Sequence, residues 1–268
     1  MNAALIVTTY RRPEALKLVL RSALQQHRVP EEILVADDGS GEETARCIET
    51  LAGKSPIPIR HIRQEDLGFR AAMIRNRAAA ASTADYLIFI DGDMLLHPDF
   101  ISDHLRFAQK GFFLQGGRVL LDPSATRNAL KEGRLKFSFS SPGLGNRLNT
   151  WRFPALCRLF ARPNRSMRGI RTCNFSLYRS DFFSVNGFDN RFVGWGREDS
   201  ELAVRLYNNG MKRKNLKFCA VAYHLYHKES DRGPLPENDR RLLQSVENKT
   251  IRCEEGVEAY LHSKEVQR

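Results

Sequence analysis

Tyr86-Leu87-Ile88-Phe89-Ile90-Asp91-Gly92-Asp93 sets an apolar run directly before two carboxylates that flank a glycine. A run this short and this apolar reads as a strand buried on both faces, and such strands belong to parallel sheets covered by helices. In an open sheet of that kind, ligands sit at the carboxyl ends of the strands, where Asp91 and Asp93 fall. Carboxylates there form a hard oxygen site suited to Mg²⁺ or Mn²⁺ bridging to phosphate oxygens. Asp and Gly are also ordinary turn residues, so one such triplet alone is weak.

The flanking sequence repeats the pattern. Ala4 to Thr9, Ile33 to Ala36 and Ile57 to Ile62 are further strand-like runs. Pro13 can open a helix carrying Leu16, Val19, Leu20, Ala23 and Leu24 at helical spacing. Ser40 with Glu43 resembles a capping box for a second helix, and Phe69 to Ala81 is an alanine-rich third. Regular strand–helix alternation predicts an α/β fold, a mainly parallel sheet with helices on both faces. Beyond Asp93 the alternation stops. Pro98 opens a helix, Phe112 to Gln115 and Phe175 to Tyr178 read as strands, and residues 122–167 look irregular. Glu198 to Asn209 predicts an amphipathic helix stopped by Gly210. Phe218 to Ala222 reads as a last strand. After Pro236 a polar helix is expected, with Leu242, Leu243, Val246, Ile251, Val257 and Leu261 as its apolar contacts.

The chain has 268 residues, 42% of them hydrophobic, enough for one substantial core. No apolar run approaches the roughly 18–20 residues that span a bilayer. The start enters a strand pattern without a basic leader, so no signal peptide is expected. Cys47, Cys157, Cys173, Cys219 and Cys253 are scattered, which argues against a disulfide scaffold or zinc cluster and for a reducing cytosol. A formal net charge of +11 favours anionic partners: nucleic acid, anionic lipid or phosphorylated substrates.

Three predicted strand ends carry polar residues on one sheet edge: Thr8-Thr9-Tyr10, Asp37-Asp38-Gly39-Ser40 and Asp91-Gly92-Asp93. A second cluster is Gly194-Trp195-Gly196-Arg197-Glu198-Asp199-Ser200-Glu201. Acids in a first helical turn are ordinary. Their crowding with a tryptophan and two glycines favours a site, in which one carboxylate serves as general base for an acceptor hydroxyl. His224-Leu225-Tyr226-His227 offers imidazoles to the upstream oxygen site, His224 first and His227 beside it.

Together these residues resemble the family 2 glycosyltransferases of the GT-A fold. Val7-Thr8-Thr9-Tyr10-Arg11-Arg12-Pro13, Val35-Ala36-Asp37-Asp38-Gly39-Ser40 and Asp91-Gly92-Asp93 follow that family's order and spacing. Asn186 to His227, and most closely Gly194 to Asp199, is similar to the C-terminal catalytic region of β-1,4-galactosyltransferases and polypeptide N-acetylgalactosaminyltransferases. The resemblance spans roughly residues 4–230. It implies a Rossmann-like nucleotide-binding half and an acceptor-binding C-terminal half. It also implies an inverting transfer from a UDP-sugar to an acceptor hydroxyl, dependent on Mn²⁺ or Mg²⁺. By the same resemblance, Thr8, Thr9, Tyr10, Arg12, Asp37, Arg70, Arg75, Asp91 and Gly92 bind the nucleotide or donor, with Thr9, Tyr10, Asp37 and Arg70 at the base. Asp93, His224 and His227 hold the metal, and Asp91 touches ribose or metal. Asp199 is the base, Glu198 holds the donor sugar or acceptor, and Trp195 with Gly196 forms the acceptor platform. Arg11 stands where many members have Asn.

The expected organisation is one GT-A domain over residues 1–232, followed by a C-terminal helical tail over 233–268. The domain divides into a nucleotide-sugar half (1–121), a basic loop or lid (122–172) and an acceptor half (173–232). Arg147 to Arg171 interleaves arginines with Trp151, Phe153, Leu156, Leu159, Phe160 and Met167. It reads equally as a lid over the donor or as a contact with an anionic membrane. The expected partners are a nucleotide-sugar donor, a glycan or glycolipid acceptor and an anionic membrane surface, with no nucleic acid. The expected setting is cytoplasmic, on the inner face of the membrane, in bacterial lipopolysaccharide or polysaccharide assembly. A nucleotide-sugar-forming nucleotidyltransferase would share the sheet and acids but should carry a Gly-rich phosphate loop after the first strand. A basic nucleic-acid-binding module would leave Asp91, Asp93, Glu198, Asp199 and His224 unexplained.

Overall fold

The computed structural model describes residues 1–228 and 235–261. The chain runs β1 (Ala3–Thr9), α1 (Pro13–Leu24), β2 (Glu32–Asp37), α2 (Glu42–Ala52), β3 (Ile59–Arg63), α3 (Ala71–Ala81) and β4 (Tyr86–Asp91). It continues through β5 (Met94–Leu96), α4 (Phe100–Phe107), β6 (Phe112–Gly116), β7 (Val119–Leu121), α5 (Pro123–Glu132), β8 (Leu144–Gly145) and α6 (Pro154–Phe160). Then come β9 (Asn174–Tyr178), α7 (Arg179–Ser184), α8 (Glu198–Asn208), β10 (Lys212–Leu216), β11 (Ala222–His224) and α9 (Leu235–Glu247).

The main sheet has seven strands in the order β10-β6-β9-β4-β1-β2-β3. β1 pairs in parallel with β2 and β4, and β2 with β3; β9 lies antiparallel between β4 and β6. Burial follows the strand period of two. Leu5 and Val7 share one core with Leu16 and Leu20 of α1, while Ala4 and Ile6 share the opposite core with Ile74 and Ala78 of α3. Both faces are therefore covered, which is why Tyr86 to Ile90 needs no polar alternation. Each such side chain contributes on the order of 1.5–3 kcal/mol by leaving water.

A second, four-stranded sheet, β5-β11-β7-β8, carries part of the site. β5 leaves β4 through Gly92 and Asp93 and pairs antiparallel with β11, placing His224 opposite Met94. A Cβ on Gly92 would lie 2.9 Å from Thr9 Oγ1 and 3.0 Å from the Thr8 carbonyl oxygen. The small residue between the acids thus lets the turn press against the end of β1.

Four readings need correction. Ser40 does not cap α2: its N–H donates to Asp37 Oδ1, its Oγ accepts from the Arg11 N–H, and the helix starts after Gly41 with no side-chain cap. Phe218 to Ala222 is not a strand, since Phe218 and Ala220 have φ of 66° and 49°. The strands there are β10 and β11. Residues 122–167 hold two helices; α5 is capped by Asp122, begins at Pro123 and ends at Gly133 in the left-handed region. Leu243, Val246, Ile251 and Leu261 are exposed, and among the expected tail contacts Val257 is fully buried. The tail is anchored otherwise: the Val257 N–H donates to the Asn186 carbonyl, and residues 257–260 pack on α3. The boundary drawn at 232/233 and the last residues, 262–268, lie outside the described residues.

His104 ties α4 to β9 of the main sheet. Its Nε2 is 2.9 Å from Asn174 Oδ1 and its Nδ1 2.7 Å from Ser176 Oγ, which in turn lies 2.8 Å from the Tyr86 hydroxyl. Asn174 Nδ2 donates to the Gly117 and Ala220 carbonyls, so its Oδ1 faces the imidazole as acceptor. The imidazole is then neutral, with the proton on Nε2 and Nδ1 accepting from Ser176. Burial holds its pKa down at about 4. An unfolded histidine takes up its proton near pH 6.5. Between those values the unfolded chain binds more protons, so acidification favours unfolding. The contribution is complete above pH 6.5 and is lost as pH falls toward 4. Thermal melts from pH 7 to 4 should lose on the order of 3 kcal/mol at this site, and His104→Gln should flatten that part of the profile.

Candidate active site

The carboxyl ends of β1 and β4 meet the N-terminus of α8 through one buried guanidinium. Arg75 of α3 is 5% exposed. Its Nε donates to Thr8 Oγ1 at 3.1 Å, its Nη2 to Asp91 Oδ1 at 3.1 Å, and its Nη1 lies 3.4 Å from Glu198 Oε1 and 3.5 Å from Asp199 Oδ1. Burial works against the Arg75 charge, and Asp199, Asp91 and Glu198 together outweigh it. This is the join between the two acidic stretches of the sequence. Arg75 is therefore the hub of the acids, a role that its place in an alanine-rich helix did not signal.

Asp199 is held by a residue that the sequence reading missed. The Thr172 N–H donates to Asp199 Oδ2 at 3.0 Å and the Thr172 hydroxyl to Oδ1 at 2.5 Å. Glu198 is 8% exposed. Burial first, and the charge of Asp199 second, push its carboxyl up to about 7. The loop before these acids is conformationally unusual: Gly194, Gly196 and Arg197 have φ of 79°, 100° and 78°. Two glycines accept that backbone at no steric cost, and Arg197 is held in it by an ion pair with Asp239 of α9. Trp195 on this loop is 38% exposed.

The metal-type cluster forms where β4 turns into β5. Ligand atoms of Asp93, His224 and His227 lie within 4.8 Å of one another. His224 Nε2 is 3.5 Å from Asp93 Oδ1, and His227 Nε2 is 3.4 Å from Asp93 Oδ2. The β5–β11 pairing brings them together, reinforced by the Leu225 N–H donating to the Asp93 carbonyl. Asp93 Oδ1 is buried without a hydrogen-bond partner, and burial raises the Asp93 carboxyl above its ordinary value. Burial, with Arg118 and His227 nearby, lowers His224 to about 4, leaving a neutral imidazole. An orphaned carboxylate oxygen beside a neutral imidazole is a donor set that suits a divalent cation. Arg12 Nη1 donates to Asp93 Oδ2 at 2.8 Å.

At the expected nucleobase end the residues divide. Tyr10 is 41% exposed, its hydroxyl 3.3 Å from Asp66. Thr9 is buried with Oγ1 unpartnered. Arg70 opens α3, its N–H donating to Asp38 Oδ2 and its guanidinium reaching the Glu65 carbonyl. Asp37 is the residue of this group most enclosed by its own neighbours. It is fully enclosed, and its oxygens go to the Ser40 N–H and His61 Nε2, both at 2.8 Å. Burial opposes its charge, but those hydrogen bonds outweigh burial and hold its carboxyl below the usual range. Asp37 braces the Gly39–Ser40 turn.

The mainly parallel α/β sheet, with acids at its strand ends, has the GT-A-like architecture expected from the sequence. Residues 4–183 match glycosyl transferase family 2, and residues 158–228 match a family described as the N-terminal domain of galactosyltransferase. The chain belongs to glycosyl transferase family 2. It is 29% identical over 223 residues to validoxylamine A glucosyltransferase of Streptomyces hygroscopicus subsp. limoneus, covering 78% of this chain and 48% of that protein. It is 25% identical over 262 residues to Escherichia coli chondroitin synthase, covering 91% of this chain and 37% of that protein. The chain thus spans about half or less of these curated relatives. The crystal structure of S. aureus TarS in complex with UDP superimposes with a TM-score of 0.64 at 15% identity, over 97% of this chain and 68% of that one, a likeness of fold.

Proposed function

We propose that this protein transfers a sugar from a UDP-sugar to an acceptor hydroxyl with inversion, in a divalent-cation-dependent reaction. The observation that carries the proposal is the meeting, through Arg75, of Asp91 with Glu198 and Asp199, beside the Asp93–His224–His227 cluster. Family membership and a UDP-bound structural neighbour support the donor class. Asp199 takes the proton of the acceptor hydroxyl, whose oxygen forms a bond to the anomeric carbon as the bond to the diphosphate breaks. A single displacement needs no enzyme nucleophile. Glu198 positions the donor sugar or acceptor, and Trp195 and Gly196 form the acceptor platform. Thr8, Thr9, Tyr10, Arg12, Arg70, Asp91 and Gly92 hold the donor. Asp93, His224 and His227 would hold Mn²⁺ or Mg²⁺, which supplies positive charge to the departing diphosphate. A screen of nucleotide sugars with Mn²⁺ should give UDP release from one UDP-sugar. Pyrophosphate release from a nucleoside triphosphate and a sugar phosphate would instead make the protein a nucleotidyltransferase.

The same proposal extends to setting: assembly of bacterial cell-surface glycan at the cytoplasmic face of the membrane. No helix among the described residues is long and apolar enough to cross a bilayer. On α6, Leu156, Leu159 and Phe160 are exposed and Cys157 points inward. Trp151, Phe153 and Met167 add to this surface, among Arg147, Arg158, Arg162 and Arg165. An apolar face rimmed by cations suits the interface of an anionic bilayer. α6 packs on β10, the sheet edge away from β1 and β2, which favours membrane contact over a lid on the nucleotide. The protein should sediment with phosphatidylglycerol vesicles and not with phosphatidylcholine vesicles, and Leu159→Glu with Phe160→Glu should abolish this.

A further inference from the structure

β10 and β6 lie on the other side of β9 and β4 from the nucleotide-type strands β1 and β2. In that half, the loop after β6, residues 168–173 and the turn before β11 enclose a cavity of about 250 Å³. Arg118, Arg168, Arg171, Arg213 and Lys217 line it, and no Asp or Glu does. Elsewhere among the described residues the buried arginines have acids: Arg75 has three and Arg205 has Glu201. Among the described residues no carboxylate pairs with any of the five cavity cations. Arg213 is 5% exposed, with Nη1 donating to the Arg168 carbonyl and Nε unpartnered. Gln115 is 7% exposed, with Oε1 unpartnered. A nearly buried guanidinium without an anion costs free energy that a bound anion would recover.

The cavity adjoins the reacting end of the site through one short stretch. Arg171 and Cys173 line it, and Thr172 between them makes both hydrogen bonds to Asp199. Asn174 Nδ2 ties two of its walls together through the Gly117 and Ala220 carbonyls, both at 2.8 Å. We propose that this cavity is an acceptor subsite that binds a phosphate group lying near the hydroxyl to be glycosylated. The placing beside the acceptor hydroxyl rests on Asp199 acting as base. Phosphate matches the lining better than carboxylate. Five cations exceed what one carboxylate can use, whereas a phosphate monoester carries up to two negative charges and three acceptor oxygens.

The test uses the full chain saturated with UDP and Mg²⁺, so that positions for the donor phosphates are filled. Methyl phosphate and glucuronate are titrated separately while the backbone amides of Gly117, Gly169 and Ala220 are followed by NMR. A parallel UDP titration reports the donor site, so a failed donor reading shows as absent UDP binding. Methyl phosphate should shift those amides saturably. The double variant Arg168→Gln/Arg171→Gln, at two exposed positions, should weaken it at least about tenfold with melting temperature and UDP affinity unchanged. A third arm uses farnesyl phosphate. Tighter binding than methyl phosphate traces the group to a lipid-linked acceptor, equal binding to a phosphorylated glycan, and either supports the subsite. No saturable shift, a shift that the double variant leaves intact, or glucuronate binding as tightly as methyl phosphate would overturn it.

Discussion

Asp199→Asn should lower the rate of sugar transfer by about 10³-fold while UDP affinity changes by less than about twofold. The asparagine is nearly isosteric, and Arg75 keeps Asp91 and Glu198 as partners, so loss of proton transfer dominates the effect. Thr172 aims both of its donors at this carboxylate, fixing its orientation independently of any bound donor. An amide can satisfy one of those donors and presents an NH₂ to the other, so a stability loss of about 1 kcal/mol should accompany the variant. Steady-state UDP release and a calorimetric UDP titration check the two halves. Unchanged turnover would remove Asp199 as the base and turn attention to Glu198, whose carboxyl at about 7 is poised for proton transfer at neutral pH. A base must be ionised to act. With Glu198 in that role, the rate would rise with pH through about 7, and Glu198→Gln would abolish the rise.

The first half of the molecule was readable because each signal there is local. Buried parallel strands are continuous apolar runs, and β1, β2 and β4 all fall where such runs stand. The C-terminal half obscured its elements for physical reasons. β10 reads Lys-Arg-Lys-Asn-Leu because it is an edge strand, where charge is tolerated and guards against pairing with other chains. α5 did carry its signals, Asp122, Pro123 and Gly133, but sat within a stretch rich in Arg, Pro, Gly and Asn. Within the site, the acids and imidazoles stand out by residue type, whereas Arg75 and Thr172 acquire their roles through contacts across 124 and 27 positions of sequence. Asp37 shows how a strand-end acid of legible type has surroundings that the sequence does not give. Its partners, Ser40 and His61, come from the turn after β2 and from β3, and only the fold brings His61 to it.

Removing the hard-oxygen donor should produce the other large effect. In Asp93→Ala, Mn²⁺ affinity measured by calorimetry is expected to fall by about 100-fold or more, with turnover falling in parallel, because the cluster loses its one carboxylate and keeps only two imidazoles. The wild type should lose activity on chelation with EDTA and regain it with Mn²⁺. The variant should gain little from added metal. Folding ought to survive the change. Asp93 Oδ1 has no hydrogen-bond partner to lose, and Arg12, released from Oδ2, has a side chain 30% exposed and can be hydrated. A melting temperature close to wild type would therefore separate loss of the ion from loss of the fold. His224→Ala tests the same cluster from the β11 side. It should weaken Mn²⁺ binding less than Asp93→Ala, since a neutral imidazole contributes no charge to the ion while the carboxylate does. Equal metal dependence in Asp93→Ala and wild type would mean that the cation is held elsewhere. Asp91 and Glu198, already gathered on Arg75, would then be the carboxylates to test next.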